Sequence, residues 1–150
     1  MKRRKIRSLS VSEIGMGCMG FSHGYGQVPG AGYAEEAIRE AFGYGCNFFD
    51  TAEGYGKELY YPGHNEEIVG RAVRGFRNEV VIATKLHIRP EAVEDCGSVY
   101  AAVRRHLERS LKNLQIDYVD LYYLHRINME VDNLEVAHAM GRLIQELSLI

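Results

Sequence analysis

Hydrophobic and polar positions along this chain alternate between a strand-like pattern and a helix-like pattern. Short runs rich in β-branched and aromatic residues predict four strands. These strands are expected at residues 11–15, 46–50, 80–84 and 118–124. The run at 80–84 is apolar and β-branched almost throughout, as expected of a strand that is covered on both faces.

Between and after these strands, apolar side chains recur three and four positions apart and predict four amphipathic helices. The helices are expected at 34–44, 65–74, 99–114 and 133–147. Gly45 offers the left-handed residue that often ends a helix, while Asn65 and Ser98 are expected to cap the second and third helices. One face of the fourth helix is expected to consist of Leu134, Ala137, Met140 and Ile144.

This alternation of strands and helices predicts an α/β fold with helices packed on a parallel sheet. The units repeat roughly every 35 to 40 residues, so eight of them need about 300 residues, which suits a (β/α)8 TIM barrel. The chain has 150 residues. Over residues 1–150 we therefore expect the first four βα units, a half-barrel. A short N-terminal strand or hairpin precedes them, with the basic residues 2–7 on a solvated edge.

A glycine pattern at the start of the chain suggests a different sheet. Gly15, Gly17 and Gly20 match the G-x-G-x-x-G spacing of dinucleotide-binding folds of the Rossmann type. In those folds a helix begins at the third glycine and its amides hold the pyrophosphate. Here residues 21–32 are rich in glycine and contain a proline, which disfavours a helix at that point. We therefore reject the Rossmann interpretation.

Composition narrows the possible partners. The chain is 46% hydrophobic and 25% charged, as in ordinary globular domains, and its net charge of −2 gives no basic footprint for nucleic acid. No apolar run reaches the ~18 residues that cross a membrane. The three cysteines are scattered without C-x-x-C spacing, which favours a reducing, cytoplasmic location and argues against a zinc site. The histidines at 23, 64, 87, 106 and 138 have no metal-ligand spacing, so no metal is expected.

Candidate chemistry lies where the predicted strands end. Asp50, Lys85 and His125 occur at or just after the ends of three successive strands, and Tyr55 follows Asp50 in a glycine-flanked loop. The carboxyl ends of the strands carry the chemistry of (β/α)8 barrels. A lysine ammonium beside a phenol favours loss of the phenolic proton, and an aspartate keeps that lysine charged. The tyrosine then acts as a general acid toward a carbonyl oxygen, which the histidine can orient.

Each of these residues alone also has a structural interpretation. Asp50 could cap its loop, Lys85 could be a solvated strand end, and His125 or Tyr55 could simply pack. Their joint occurrence at one rim favours a catalytic group. Asp120 is different, because strand alternation places it on the face opposite His125, where we expect a structural charge partner.

Several segments together resemble the aldo-keto reductase superfamily, whose members are nicotinamide-dependent enzymes built on a (β/α)8 barrel. The matching segments are 11–21 (VSEIGMGCMGF), 49–56 (FDTAEGYG), 65–70 (NEEIVG), 81–85 (VIATK) and 107–126 (LERSLKNLQIDYVDLYYLHR). They occur in the family's order and cover nearly the whole chain to about residue 146.

The resemblance implies a catalytic tetrad of Asp50, Tyr55, Lys85 and His125. It also implies that NADPH reduces a small aldehyde or ketone by hydride transfer, with Tyr55 giving the proton. Cofactor contacts are implied for Asp50 and for the first strand loop, which consists of Gly17, Cys18 and Met19.

The resemblance further implies that the C-terminal half of the barrel, which carries most cofactor contacts, is absent from these residues. Residues 147–150 lack the turn that the family has after the fourth helix, so we expect a truncation there. A half-barrel exposes two sheet edges and an apolar inner face, which predicts self-association. The function expected from the resemblance is an NADPH-dependent carbonyl reductase. The alternative is a non-catalytic remnant or binding subunit that lacks most of the cofactor site.

Overall fold

The strands form two separate sheets in the structure, a computed structural model that describes residues 1–24 and 26–147. In the first sheet, β1 (Arg3–Ile6) pairs antiparallel with β2 (Leu9–Ser12). The second sheet has four parallel strands in chain order: β3 (Met16–Gly17), β4 (Phe48–Asp50), β5 (Val81–Leu86) and β6 (Leu121–Leu124).

Helices follow each strand of the parallel sheet, which gives the βα units of a half-barrel. The described residues form five α-helices, which are α1 (Ala31–Gly43), α2 (His64–Val73), α3 (Pro90–Cys96), α4 (Val99–Leu114) and α5 (Asn133–Leu147). Among residues 1–24 and 26–147, no helix has the length and apolar character that a membrane crossing needs. The predicted half-barrel class, preceded by a hairpin, is confirmed.

The first predicted strand, at 11–15, is wrong. The chain turns within this run, because the Ser12 hydroxyl donates a hydrogen bond of 2.7 Å to the carbonyl of Ile14. Residues before the turn belong to the hairpin, and the parallel strand begins only at Met16. The basic strand β1 is exposed along its length, as expected of a solvated edge.

Two helix predictions also need correction. Asn65 does not cap α2; Gly63, which has a left-handed φ of 94°, precedes the helix instead. Asn65 is fully buried within the first turn, where its amide group accepts from Thr51 Oγ1 at 2.6 Å and donates to the carbonyl of Cys18 at 2.9 Å. The short helix α3 was not predicted, although Pro90 at its first position is a recognised start signal.

The face of α5 that packs inward differs from the predicted one. Val136, Ala139 and Leu143 are buried, whereas Leu134 and Ile144 are more than 60% exposed. Both sets of residues have helical spacing, so periodicity alone cannot distinguish them. The packing of α5 against α4 selects the first set.

The main core lies between the parallel sheet and the helices. Phe49 and Ile82 are fully buried on the helix side of β4 and β5, where Ile38 and Ile68 of α1 and α2 pack. Because strand residues alternate between faces, the neighbouring residues of β4 and β5 lie on the other side of the sheet, toward the barrel interior. Asp50 is one of these inward-facing residues.

Candidate active site

The four predicted tetrad residues lie at the carboxyl ends of three adjacent strands. Asp50 ends β4, and His125 directly follows β6. Lys85 lies inside β5 rather than beyond it, because β5 continues to Leu86 through parallel pairing with β6. Tyr55 lies in the loop after β4. The parallel register therefore gathers at one rim residues that are up to 75 positions apart in the sequence.

The ammonium group of Lys85 lies at the centre of this group of residues. Its ammonium nitrogen lies 2.5 Å from Asp50 Oδ1, 2.7 Å from the carbonyl oxygen of Thr51 and 3.2 Å from the hydroxyl oxygen of Tyr55. An ammonium group has three protons and no acceptor, so these three contacts use its full capacity. The Tyr55 oxygen must therefore accept from Lys85, which leaves its own O–H directed elsewhere.

Tyr55 is held by its loop and by neighbouring rings. Gly56 follows it with a φ of 97°, and a Cβ at Gly56 would lie 3.1 Å from the His64 side chain, so the turn needs glycine. The Tyr55 ring meets the His125 ring edge-on at a centroid distance of 5.4 Å. The ring of His23 lies parallel to it at 6.5 Å. These contacts place the phenol and the imidazole side by side.

His125 is held neutral near pH 7. Burial lowers the pKa of its imidazole below the ordinary value of 6.5, and the positive charges of Lys85 and Arg126 lower it further. Asp50 acts in the opposite direction but does not reverse the shift. A neutral imidazole has one N–H, which can donate to an oxygen lying next to the Tyr55 hydroxyl.

A cavity of about 500 Å³ opens beside this group. Tyr55, His125 and Glu53 line it, together with His87 at the end of β5 and Met19 from the first strand loop. Arginine side chains from the loops after β5 and β6 and from α4 form much of the remaining wall.

The three residues of the first strand loop that are expected, with Asp50, to contact a cofactor have different surroundings. Cys18 is fully buried, and burial is the main cause that raises the pKa of its thiol to about 12. Its amide and its carbonyl are both hydrogen-bonded, to Asp50 and to Asn65. Gly17 is exposed and has open space where a Cβ would be, and Met19 lines the cavity. Of these three residues, Gly17 and Met19 therefore offer accessible surface, whereas Cys18 does not.

Glu53 is a site residue that was not predicted from the sequence. It is 5% exposed and its carboxylate accepts hydrogen bonds from His106 Nδ1 at 2.7 Å, from the backbone amide of His87 at 2.8 Å and from Arg109 at 2.9 Å. Its backbone amide also donates to the carbonyl of Lys85 at 3.2 Å. Glu53 thus joins the Tyr55 loop to β5 and to α4.

Burial alone would raise the pKa of Glu53, but hydrogen bonds and charge from His106, with the other donors, lower it below the ordinary value of 4.5. A carboxyl with a lowered pKa stabilises the fold above its unfolded-state pKa, and this contribution is lost as pH falls through the folded-state pKa. We expect Glu53→Gln to reduce the free energy of unfolding by about 2 kcal/mol at pH 7. The difference from the unmodified protein should shrink below pH 4.5.

Urea unfolding at several pH values measures this difference. Glu58→Gln is the matched control, because Glu58 is in the same loop but is half exposed and pairs only with the exposed His23 and Lys57. This control should change stability by less than about 0.5 kcal/mol. Equal effects of the two substitutions would contradict the structural role of Glu53.

Two further sequence expectations concern side chains outside the tetrad. Asp120 accepts from Arg77 at 2.8 Å and from the amide of Ile82 at 2.8 Å, so its predicted structural role is confirmed. Within the part of the chain that the structure describes, no group of three or more His, Cys, Asp or Glu side chains could hold a metal ion.

Comparison with known proteins agrees with this fold. Residues 13–146 match the sequence model of the Aldo/keto reductase family. The chain is 35% identical to "Probable aldo-keto reductase 1" of Glycine max, covering 93% of this chain and 40% of that protein. It is also 35% identical to "Aldo-keto reductase yakc [NADP(+)]" of Schizosaccharomyces pombe, covering 95% of this chain and 42% of that protein. The chain thus spans less than half the length of these two curated relatives.

A solved structure of similar fold is the holo form of aldo-keto reductase AKR11C1 from Bacillus halodurans. The TM-score is 0.76 at 33% identity, over 97% of this chain and 47% of that one. The four parallel strands described above correspond in extent to about half of such a barrel. Since the family match covers most of the chain and agrees with the sheet topology, this chain belongs to the aldo/keto reductase family.

Proposed function

We propose that this protein reduces aldehydes or ketones to alcohols with NADPH, using Tyr55 as the proton donor. The observation that carries the proposal is the Lys85 ammonium, whose three protons are directed at Asp50, Thr51 and the Tyr55 oxygen. This arrangement leaves the Tyr55 O–H free for a substrate oxygen. Family membership supports an oxidoreductase activity for the protein.

In the proposed reaction the carbonyl oxygen of the substrate lies between the Tyr55 hydroxyl and His125. The neutral imidazole donates a hydrogen bond that orients this oxygen. Negative charge grows on the oxygen as its carbon is reduced, and Tyr55 transfers its proton to it. The adjacent Lys85 ammonium stabilises the resulting phenolate, and Asp50 balances the charge of the lysine.

The residues beside Asp50 fit the nicotinamide end of the cofactor. Gly17 leaves open space at the rim, and Met19 offers an apolar side chain to the cavity beside Tyr55, whereas Cys18 supports this loop from the buried side. When bound there, NADPH would supply the hydride that reduces the carbonyl carbon. One relative carries NADP(+) in its name, which supports this choice of dinucleotide.

A second candidate is a non-catalytic family member or a binding subunit. The observation that bears on it is the parallel sheet, whose four strands among the described residues correspond to about half of the barrel. In that case residues 1–150 represent the N-terminal half of a barrel, and a second copy could pair with the exposed β3 or β6 edge. The scattered, unpaired cysteines support a cytoplasmic location for either candidate.

Titration of the purified protein with NADPH, followed by cofactor fluorescence and by size-exclusion chromatography of the same sample, separates the two candidates. The reductase predicts saturable binding and oxidation of NADPH when an aldehyde is added. Absence of binding over the micromolar range would contradict it and favour the non-catalytic candidate. A defined dimer that binds NADPH would show that two copies together form the site.

A further inference from the structure

We propose that the cavity beside Tyr55 selects carbonyl substrates that carry an anionic group, a carboxylate or a phosphate ester, and that Arg89 and Arg126 bind this group. The inference rests on the proposed carbonyl reduction and deepens it, because it assigns a substrate class to the same cavity. Both arginines line that cavity together with Tyr55 and His125. Arg126 directly follows His125, and Arg89 lies in the loop between β5 and α3.

Arg89 and Arg126 differ from the other arginines after residue 30, because within the described part of the chain neither has a side-chain partner. Beyond residue 30, every other arginine forms an ion pair or hydrogen bond with a side chain. These pairs are Arg39 and Arg71 with Glu35, Arg74 with Gln115, Arg77 with Asp120, Arg104 with Glu108, Arg105 with Asp95, Arg109 with Glu53, and Arg142 with Glu146. Within residues 1–24 and 26–147, Arg89 and Arg126 have no such side-chain contact.

The acidic residues on the cavity wall do not neutralise this charge. Glu53, Glu58 and Asp95 are each engaged with basic side chains. Glu91 is the remaining carboxylate of the wall. The cavity therefore presents two unpaired guanidinium groups against one unpaired carboxylate among its described lining residues.

Two histidines that line the cavity have pKa values that the charge of these arginines lowers. The pKa of His87 is lowered first by burial and then by the charges of Arg89, Lys57 and Arg126, with only Glu53 opposing them. Arg126 also lowers the pKa of His125. Arg89 thus acts on His87, and Arg126 acts on both His87 and His125, which line the same cavity as the two arginines.

An anion here would lie near the reacting oxygen. Guanidinium groups bind carboxylates and phosphates through charge-assisted, frequently bidentate hydrogen bonds. With its carbonyl oxygen at Tyr55 and His125, a short substrate could extend its anionic end toward Arg126 and Arg89. The cofactor phosphates are a second possible source of the same chemistry, so the test must distinguish the two sources.

The test compares two matched pairs of substrates with the same protein. 4-Oxobutanoate is compared with its methyl ester, and glyceraldehyde 3-phosphate with glyceraldehyde. We expect at least one anion to have the higher kcat/KM. In the Arg89→Gln and Arg126→Gln variants, the ratio of kcat/KM for the anionic substrate to kcat/KM for its neutral partner should fall about tenfold, and it should fall further in the double variant. The kcat/KM for the neutral partner itself should stay within twofold of the value for the unmodified protein. Arg105→Gln is the control, because Arg105 lines the same cavity but is paired with Asp95.

Two outcomes would overturn the inference while leaving the reductase intact. One is equal turnover of anionic and neutral substrates by the unmodified protein. The other is an increase in the KM for NADPH in the two arginine variants while the substrate preference is unchanged, which would assign the two arginines to cofactor phosphates.

Binding is measured separately by NMR, through shifts of the His87 and His125 ring protons on addition of 4-hydroxybutanoate or glycerol 3-phosphate. Arginine-dependent binding without any turnover would retain the anion site and contradict the reductase instead.

Discussion

Replacing Tyr55 with phenylalanine is expected to lower kcat for carbonyl reduction by about 10³-fold, because a positioned general acid contributes 10²–10⁴-fold. The substitution removes the hydroxyl that accepts from Lys85 at 3.2 Å but keeps the ring that packs edge-on against His125. Substrate and cofactor binding should therefore change little. Steady-state kinetics with an aldehyde and NADPH measure the loss, and cofactor fluorescence measures binding.

Tyr60→Phe is the matched control for this experiment. Tyr60 lies in the same loop and stacks on His64 at a centroid distance of 4.0 Å, away from Lys85. Its ring contact does not need the hydroxyl, so kcat should remain within about twofold of the unmodified value. A Tyr55→Phe variant with full activity would exclude Tyr55 as the proton donor, whereas loss of activity in both variants would indicate a defect of the whole loop.

The largest expected effect on stability comes from Gly70→Ala. Gly70 lies in α2 against the end of α4, and a Cβ there would lie 2.0 Å from the carbonyl oxygen of Leu114 and 2.5 Å from its carbonyl carbon. Both obstructing atoms belong to the backbone, so no side-chain rotation relieves the overlap. The two helices would have to separate, and we expect a loss of about 3 kcal/mol in the free energy of unfolding.

Gly141→Ala makes the same chemical change as Gly70→Ala but is expected to increase the stability of the fold. Gly141 lies in the interior of α5 and is exposed, and a Cβ at this position would have no atom within 4 Å beyond its chain neighbours and the adjacent backbone of its own helix. Because alanine favours the helical conformation more than glycine does, the free energy of unfolding of this variant should be higher by up to about 1 kcal/mol. Urea denaturation of both variants at the same pH measures the difference. If Gly70→Ala were as stable as the unmodified protein, the close approach of α2 and α4 would be wrong.

The sequence was sufficient to predict the half-barrel and the group of Asp50, Tyr55, Lys85 and His125. The reason is physical: parallel strands bring their carboxyl ends to one edge, so polar residues at strand ends meet whatever their separation in the chain. Strand boundaries were less predictable. Lys85 belongs to β5 only because β6 extends its pairing, and this depends on tertiary register.

Other parts of the site depend on contacts that no local pattern encodes. Glu53 and His106 are 53 positions apart, and nothing in either segment indicates that they pair. That Arg89 and Arg126 have no side-chain partner among residues 1–24 and 26–147 likewise depends on which acidic residues the fold places near each arginine. The buried face of α5 could not be chosen from periodicity, because two apolar stripes compete along that helix.

The order of strands in the parallel sheet is the same as their order in the chain, and this has a consequence for synthesis on the ribosome. Each emerging βα unit can dock on the unit before it, without waiting for a later segment to insert between them. Asp50 and Tyr55 leave the ribosome first, Lys85 joins them, and His125 arrives only with β6. A nascent chain that has not yet released β6 therefore contains the tyrosine and the lysine but lacks the imidazole that we propose orients a carbonyl.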